Sequence, residues 1–188
     1  MRLSRRGAVD PFIVMDVMEA ARRAEAAGQH IIHMEVGQPG TAAPAGARAA
    51  LAQAMERDAL GYTVALGLPA LRARIARMYG ERHGVDVNPE RVVVTPGSSG
   101  AFILSFTALF DTGARVGIGA PGYPSYRQIL KALDLCPVDI PAREEARYQL
   151  QPADLMGQKL DGLLMASPSN PTGTMLSRDE LAALMGWA

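Results

Sequence analysis

The sequence predicts an α/β fold in which helices cover both faces of a mostly parallel sheet, preceded by a helical N-terminal segment. From residue 91 onward, apolar runs alternate with segments of helical periodicity. The runs are almost continuously apolar, as in parallel strands that are buried on both faces. The chain has 188 residues and is 48% hydrophobic, which is enough for a sizeable core.

Composition excludes several classes of protein. The 19 basic and 19 acidic residues balance, so we expect neither nucleic acid nor a membrane as a partner. Cys136 is the only cysteine, which excludes an internal disulfide and a multi-cysteine zinc site. The three histidines have no metal-ligand spacing, and no metal site is expected. Asp16 interrupts the first apolar stretch, which argues against a signal peptide or membrane span and for a cytoplasmic protein.

The first 90 residues predict three helices and one strand. Asp10 and Pro11 have the N-cap and first-turn chemistry of a helix that runs to Gly28. Residues 31–36 read as a short strand, residues 45–57 as a second helix, and Leu68-Pro69 as the start of a third. The third helix is predicted to bury the apolar stripe Leu71, Ile75 and Met78, and to turn Arg72, Arg74, Arg77 and Arg82 to water.

The second half predicts alternating strands and helices. The strands are predicted over residues 91–95, 115–119, 136–140 and 162–166. The helices are predicted over residues 99–110, 124–133 and from Ser177 to the C-terminus. The last helix begins with the capping-box sequence Ser177-Arg178-Asp179-Glu180.

Three turn-rich stretches follow predicted strands: residues 96–100, 120–126 and 167–173. In open α/β sheets, ligands bind beyond the carboxyl ends of the strands. Because the three stretches fall at such ends, we expect them to converge on one ligand site.

Gly97, Ser98 and Ser99 stand where the first of these stretches enters a helix. A helix N-terminus presents backbone N–H groups and the positive end of its dipole, which favours an anion such as phosphate. Glycine allows close approach, and the serine hydroxyls can bond to the ligand. The alternative is that the serines only cap a buried helix.

Tyr123 and Asn170 are the candidates in the other two stretches. Tyr123 lies between two prolines, so a rigid loop could hold its ring against a planar ligand. Asn170 precedes a proline and carries an amide that can donate to an anionic oxygen without being charged. Each stretch could instead be an ordinary turn, because proline and glycine mark turns.

Together these stretches resemble the class I/II aminotransferases, the fold-type-I enzymes that use pyridoxal 5′-phosphate (PLP). The resemblance covers essentially the whole chain, and the motifs occur in the family's order. They are Val36-Gly37-Gln38-Pro39, Tyr62 with Gly67 and Leu71-Arg72, residues 95–101, residues 121–126, and Ser169-Asn170-Pro171-Thr172-Gly173. The resemblance implies a PLP-dependent transferase-like large domain that moves an amino group between an amino acid and a 2-oxo acid.

The resemblance also implies how PLP is bound. Ser98 and Ser99, with Gly97 at the helix start, would hold the phosphate. Tyr123 would stack on the pyridine ring, and Asn170 would donate to its phenolic oxygen. A phosphate seat, a stacking ring and a neutral donor are what a phosphorylated aromatic aldehyde requires.

Further implications concern the substrate, the partner subunit and the domains. Tyr62 would reach the cofactor phosphate of the neighbouring subunit, which implies a homodimer with shared sites. Gly37 would lie against the α-carboxylate of the substrate. Residues 1–44 would form an N-terminal arm and part of a small domain, and residues 45–188 the first portion of the PLP-binding large domain.

The lysine that the family uses for its Schiff base is not matched in this chain. Lys131 and Lys159 are the only lysines, and neither lies in the family's lysine context. Family members are roughly twice this length, so we expect that lysine beyond Ala188 and assign no catalytic residue here. The alternatives are another fold-type-I PLP enzyme (a lyase, decarboxylase or racemase) or, for a complete chain, a non-catalytic PLP-binding or regulatory module.

Overall fold

A three-stranded parallel sheet lies at the centre of the second half of the chain. The structure, a computed structural model, describes residues 4–187. The strands β1 (Arg115–Ala120), β2 (Cys136–Pro141) and β3 (Gly162–Leu164) lie in the order β2-β1-β3, and both pairings are parallel. The predicted parallel sheet is confirmed, although β3 is shorter than the predicted 162–166.

Three helices accompany the sheet: α4 (Gly97–Leu109), α5 (Pro124–Ala132) and α6 (Arg178–Met185). α5 begins with a proline in its first turn, where the missing N–H has no helical partner to lose. α6 has the predicted capping box, in which Ser177 and Glu180 each accept a hydrogen bond from the other's backbone N–H. These helices therefore begin within two residues of the starts that the local sequence signals predict.

The two faces of the sheet have separate apolar cores. One core packs Phe106 of α4 and Leu130 of α5 against Val116 and Ile118 of β1. The other consists of Ile140, Ala142, Leu150, Leu155 and Leu184. Gly117 faces this second core, where a Cβ would stand within 3 Å of Leu160, Ile140 and Leu163. Helices on both faces, as predicted, are confirmed.

Close α-carbon contacts divide the described chain into two units. We call residues 4–12 with 97–187 the sheet unit, and residues 13–96 the helical unit. The expected division into residues 1–44 and 45–188 stays a prediction. Within residues 4–187, no helix is long and apolar enough to cross a membrane.

The helical unit contains α1 (Ile13–Ala26), α2 (Ala45–Arg57) and α3 (Pro69–His83). The bounds predicted for α2 are confirmed. α1 begins three residues later than Asp10, which is not its N-cap. Instead, the Asp10 carboxylate accepts a 2.7 Å hydrogen bond from Lys131 within the sheet unit.

The predicted exposure of α3 is wrong at two positions. Arg72 is only 5% exposed, whereas Leu71, assigned to the buried stripe, is 44% exposed. Arg72 and Ala76, one helical turn apart, are the buried residues of α3. A prediction from apolar periodicity places every arginine on the solvent-exposed face. A guanidinium can nevertheless be buried when backbone oxygens accept its hydrogen bonds.

Two predicted strands, at residues 31–36 and 91–95, are also wrong: neither segment is a strand in the structure. A short helical turn covers Pro89–Arg91, and the Val94 N–H then donates to the Leu66 carbonyl over 3.0 Å. The physical reason is that β-branched runs favour extended chain, while a strand also needs a neighbouring backbone to pair with.

Candidate functional site

A cavity opens at the carboxyl ends of β1 and β3, where the turn-rich stretches were expected to converge. We call it the strand-end cavity. It lies beside the loop after β1, the loop after β3 and the chain that follows β2. The residues that line it include Gly119, Gly122, Tyr126, Tyr148, Gln149, Leu164, Ser169, Asn170 and Leu176. Two of the three predicted stretches, 120–126 and 167–173, therefore meet at one site.

Tyr123 is held at the N-cap position of α5, directly before Pro124. Its ring lies edge-to-face with Tyr126, with centroids 5.4 Å apart, and with Phe12, with centroids 6.0 Å apart. Tyr123 lines an adjoining hollow that shares Gly119, Gly122 and Tyr126 with the strand-end cavity. Perpendicular ring pairs are favourable because ring edges are positive and faces negative, so these neighbours fix the orientation of the Tyr123 ring.

The hydroxyl of Tyr126 is neutral at neutral pH. Burial raises the pKa of Tyr126 above its usual range, and the neighbouring Tyr123 raises it further. The Tyr126 ring also packs against Phe102 of α4, with centroids 5.0 Å apart. Tyr126 therefore joins α4 to the loop that carries Tyr123.

Ser98 and Ser99 lie inside the first turn of α4, which begins at Gly97. Neither serine occupies the N-cap position, and both are exposed. Gly97 has a φ of 74°, a left-handed conformation in which only glycine is unstrained. Ser98 stands four residues before Phe102, so it lies on the helix face whose Phe102 ring packs against Tyr126. Neither serine is among the residues that line the strand-end cavity.

Asn170 is exposed at the rim of the strand-end cavity, in the turn between β3 and α6. Two backbone hydrogen bonds of 2.8 Å close this turn: the Ser169 N–H donates to the Thr174 carbonyl, and the Gly173 N–H donates to the Ser169 carbonyl. The turn thus presents the Asn170 amide at the cavity while its own backbone groups are paired.

Tyr62 and Gly37 belong to the helical unit. Both residues are exposed there, and the Tyr62 side chain is fully open to solvent.

Comparison with known proteins decides the family. The profile of the family described as aminotransferase class I and II matches residues 29–187. The chain belongs to this aminotransferase family. Valine–pyruvate aminotransferase of Mycobacterium tuberculosis is 46% identical over 99% of this chain, and aspartate aminotransferase of Geobacillus stearothermophilus is 31% identical over 98%. The chain spans 48% of the length of each of these two relatives.

Solved structures of aminotransferases have the same fold. A crystal structure from Mycobacterium tuberculosis superposes with a TM-score of 0.94 at 46% identity. One from Silicibacter pomeroyi, of a protein assigned to the aminotransferases, is 65% identical with a TM-score of 0.89. Both matches cover all of this chain, but only 49% and 48% of those chains. The predicted membership in class I/II is confirmed.

In this aminotransferase chain, both lysines make contacts away from the strand-end cavity. Lys131 Nζ donates to Asp10 over 2.7 Å, and this ammonium lowers the pKa of the Asp10 carboxyl. The backbone carbonyl of Lys159 accepts a 2.8 Å hydrogen bond from the Arg115 guanidinium. Among residues 4–187, no group of three or more histidine, cysteine or carboxylate side chains could hold a metal ion.

Sequence reasoning missed two side chains with polar groups at the cavity, Tyr148 and Gln149. They follow the charged connection after β2, where no motif of the aminotransferase family had been matched. The one available signal that this segment is partly buried was weak: the apolar Leu150 follows Tyr148 and Gln149 directly, with no glycine or proline between them. Only the fold shows that this segment lies beside the Asn170 turn.

Proposed function

We propose that this chain is the cofactor-binding, N-terminal part of a PLP-dependent aminotransferase that moves an amino group between an amino acid and a 2-oxo acid. One observation carries the proposal: in a member of this family, the Asn170 turn and the Tyr123–Tyr126 loop meet at the carboxyl edge of the parallel sheet. That edge is where ligands bind in open α/β sheets.

The candidate residues fit the chemistry of PLP. The first turn of α4 offers the exposed hydroxyls of Ser98 and Ser99 near the positive end of a 13-residue helix, which suits a phosphate. Tyr123 is an aromatic ring in an orientation fixed by two perpendicular neighbours. Asn170 offers a neutral amide at the cavity rim, which can donate to a phenolate oxygen.

Each of these residues has a separate task in the proposed reaction. PLP, when bound, supplies the electron sink that amino-group transfer needs. Ser98 and Ser99 would anchor the phosphate, which places the pyridine ring relative to α4. Tyr123 holds the ring plane, and Asn170 donates to the ring oxygen and favours its ionised form.

The remaining parts of the proposed site lie outside the sheet unit. We place the Schiff-base lysine beyond Ala188. The exposed Tyr62 ring is available to reach the PLP phosphate of a second subunit in a homodimer, and Gly37 to approach the substrate carboxylate. We also propose that residues 1–44 form an N-terminal arm and part of a small domain, and that residues 45–188 form the first portion of the PLP-binding large domain. A cytoplasmic location is part of the same proposal.

The test uses the full-length protein that carries this sequence. After purification with PLP, the protein is supplied with pyruvate and, in turn, valine or aspartate, and the alanine formed is measured. The valine–pyruvate and aspartate aminotransferases among its relatives motivate this panel. We expect amino transfer to the 2-oxo acid, and borohydride reduction should attach PLP to a lysine beyond residue 188.

Other outcomes would contradict the proposal. Release of CO2 or ammonia, or racemisation without amino transfer, would indicate a different fold-type-I PLP enzyme. Retention of PLP without any turnover would indicate a binding module. Stoichiometric reduction of PLP onto Lys131 or Lys159 would show that the reactive lysine had been placed wrongly.

A further inference from the structure

Gln149 is an uncharged side chain buried beside the strand-end cavity. It is 4% exposed, and Arg72 is the one other polar or charged side chain buried to this degree in residues 4–187. The Gln149 amide nitrogen Nε2 donates to the Thr174 carbonyl oxygen over 2.8 Å and contacts the Thr174 hydroxyl oxygen at 3.1 Å. A buried amide is costly unless such partners satisfy it, so these contacts fix its position.

Thr174 is the residue that closes the Asn170 turn. Its carbonyl also accepts the Ser169 N–H over 2.8 Å, and its hydroxyl lies 3.0 Å from the Thr172 hydroxyl. Gln149 thus binds the same carbonyl oxygen that holds the two ends of the turn together. The segment after β2 and the turn after β3 are joined at this one atom.

The chain leading to Gln149 has an unusual backbone. Arg147 and Tyr148 both have a φ of 56°, a left-handed conformation that non-glycine residues rarely adopt. Such conformations persist where surrounding contacts hold them, and they cluster at functional sites. The Arg147 guanidinium binds both oxygens of the Glu180 carboxylate, at 2.6 and 2.7 Å. Because Gln149 binds Thr174, the segment 147–149 is attached to the chain after β3 at both of its ends.

We propose that Gln149 is a positioning residue for cofactor binding: by holding Thr174, it fixes the 169–174 turn so that the Asn170 amide stays at the strand-end cavity. This inference rests on the proposed function, because it takes Asn170 to bind PLP. A neutral amide suits the task, since it donates to the carbonyl oxygen without introducing a buried charge.

The test uses full-length protein with Gln149→Met, which keeps a similar volume and removes both hydrogen bonds. Gln158→Met is the matched control, because Gln158 is exposed in the same region of the chain. In the PLP-free protein, we expect amide exchange at Ser169 and Gly173 to quicken about 5- to 10-fold in Gln149→Met, the effect of losing the hydrogen bond to the Thr174 carbonyl that closes the turn. We expect the PLP dissociation constant to rise by a similar factor of about 5–10.

A double-variant cycle separates positioning from a general loss of packing. If Gln149 acts through Asn170, combining Gln149→Met with Asn170→Ala should weaken PLP binding no further than Asn170→Ala alone. Effects that multiply would overturn the proposal, as would unchanged exchange at Ser169 and Gly173 in Gln149→Met.

A second variant guards against misfolding of the first. In Gln149→Glu, a protonated carboxyl can donate to the Thr174 carbonyl, whereas a carboxylate cannot. PLP affinity relative to wild type should therefore recover as the pH is lowered, and a pH-independent ratio counts against the proposal. Wild-type protein that binds no PLP would overturn the proposed function and this inference together. Wild-type protein that binds PLP, with no effect of either Gln149 variant, would overturn this inference alone.

Discussion

The guanidinium Nε of Arg72 donates a 2.8 Å hydrogen bond to the backbone carbonyl oxygen of Val92. Both residues belong to the helical unit, and Arg72 is 5% exposed. A second guanidinium nitrogen lies 3.5 Å from the carboxylate of Glu90, which is itself largely exposed. One buried arginine therefore ties α3 to the chain that follows the short helical turn at Pro89–Arg91.

Replacing Arg72 by methionine should destabilise the protein by about 1–3 kcal/mol, because the Val92 carbonyl loses its donor. Chemical denaturation of the full-length protein measures this change. Arg74→Met on the exposed face of the same helix is the control and should cost much less. Equal losses in the two variants would show that the hydrogen bond to Val92 is not what stabilises α3.

Changing Ser98 and Ser99 together to alanine should raise the PLP dissociation constant of the full-length protein at least about tenfold, since the proposed phosphate site would lose two hydroxyl donors. Equilibrium dialysis of PLP measures the effect. Ser105→Ala, an exposed serine further along α4, is the control. Unchanged PLP occupancy in the double variant would refute the phosphate role.

Gly122→Ala should disrupt the loop between β1 and α5. A Cβ on Gly122 would overlap the carbonyl oxygen of Gly119, and a backbone atom cannot move aside as a side chain can. We expect a loss of about 1–3 kcal/mol in the free energy of unfolding and weaker PLP binding. The control is Gly46→Ala in α2, where a Cβ meets open space. Equal stability of the two variants would contradict this account of the loop.

The Glu180 carboxylate should make stability depend on pH in the acid range. Hydrogen bonds from the Ser177 backbone, the Arg147 guanidinium and the Ser177 hydroxyl lower the pKa of Glu180 from 4.5 to about 2. The folded state therefore favours the ionised form. Its stabilisation is present above pH 4.5 and is lost as the pH falls from there through about 2.

Denaturation curves between pH 2 and 6, a span set by that pKa shift, test the Glu180 prediction. Glu180→Gln should flatten the acid part of the stability profile. Arg147→Gln should flatten it less, because the Ser177 backbone hydrogen bond is the larger cause of the lowered pKa. A profile in Glu180→Gln identical to that of wild type would rule out this contribution.

His33 should make the protein less stable as the pH rises, whereas Glu180 does so as the pH falls. Its ring nitrogens lie 2.7 Å from Glu35 and 2.8 Å from Glu25, and these hydrogen bonds raise the pKa of His33 from 6.5 to about 9. The stabilisation is fully present below pH 6.5 and is lost as the pH rises through about 9. His33→Gln should remove this part of the profile between pH 6.5 and 9, measured by thermal unfolding. A decline of the same size in the variant would argue against the His33 contribution.

The strand ends show how far local rules predict a site. The rule that ligands bind beyond parallel strands predicted that residues 96–100, 120–126 and 167–173 would converge, and the last two of these stretches line one cavity. The indication for Gln149 was weak, because a polar residue next to a charged connection is ordinarily at the surface. Its amide donates to the carbonyl oxygen of Thr174, 25 residues further along the chain.

The sequence by itself determined the elements whose signals are local: the bounds of α2, the proline start of α5, the capping box of α6, and the alternation of apolar strands with helices. Periodicity and end chemistry act within a few residues, so they can be read without the fold. Only the tertiary structure decided that residues 31–36 and 91–95 are not strands, that Arg72 is buried, and that Gln149 holds the Asn170 turn. Strand pairing and buried hydrogen bonds need partners distant in sequence, and the fold alone brings those partners together.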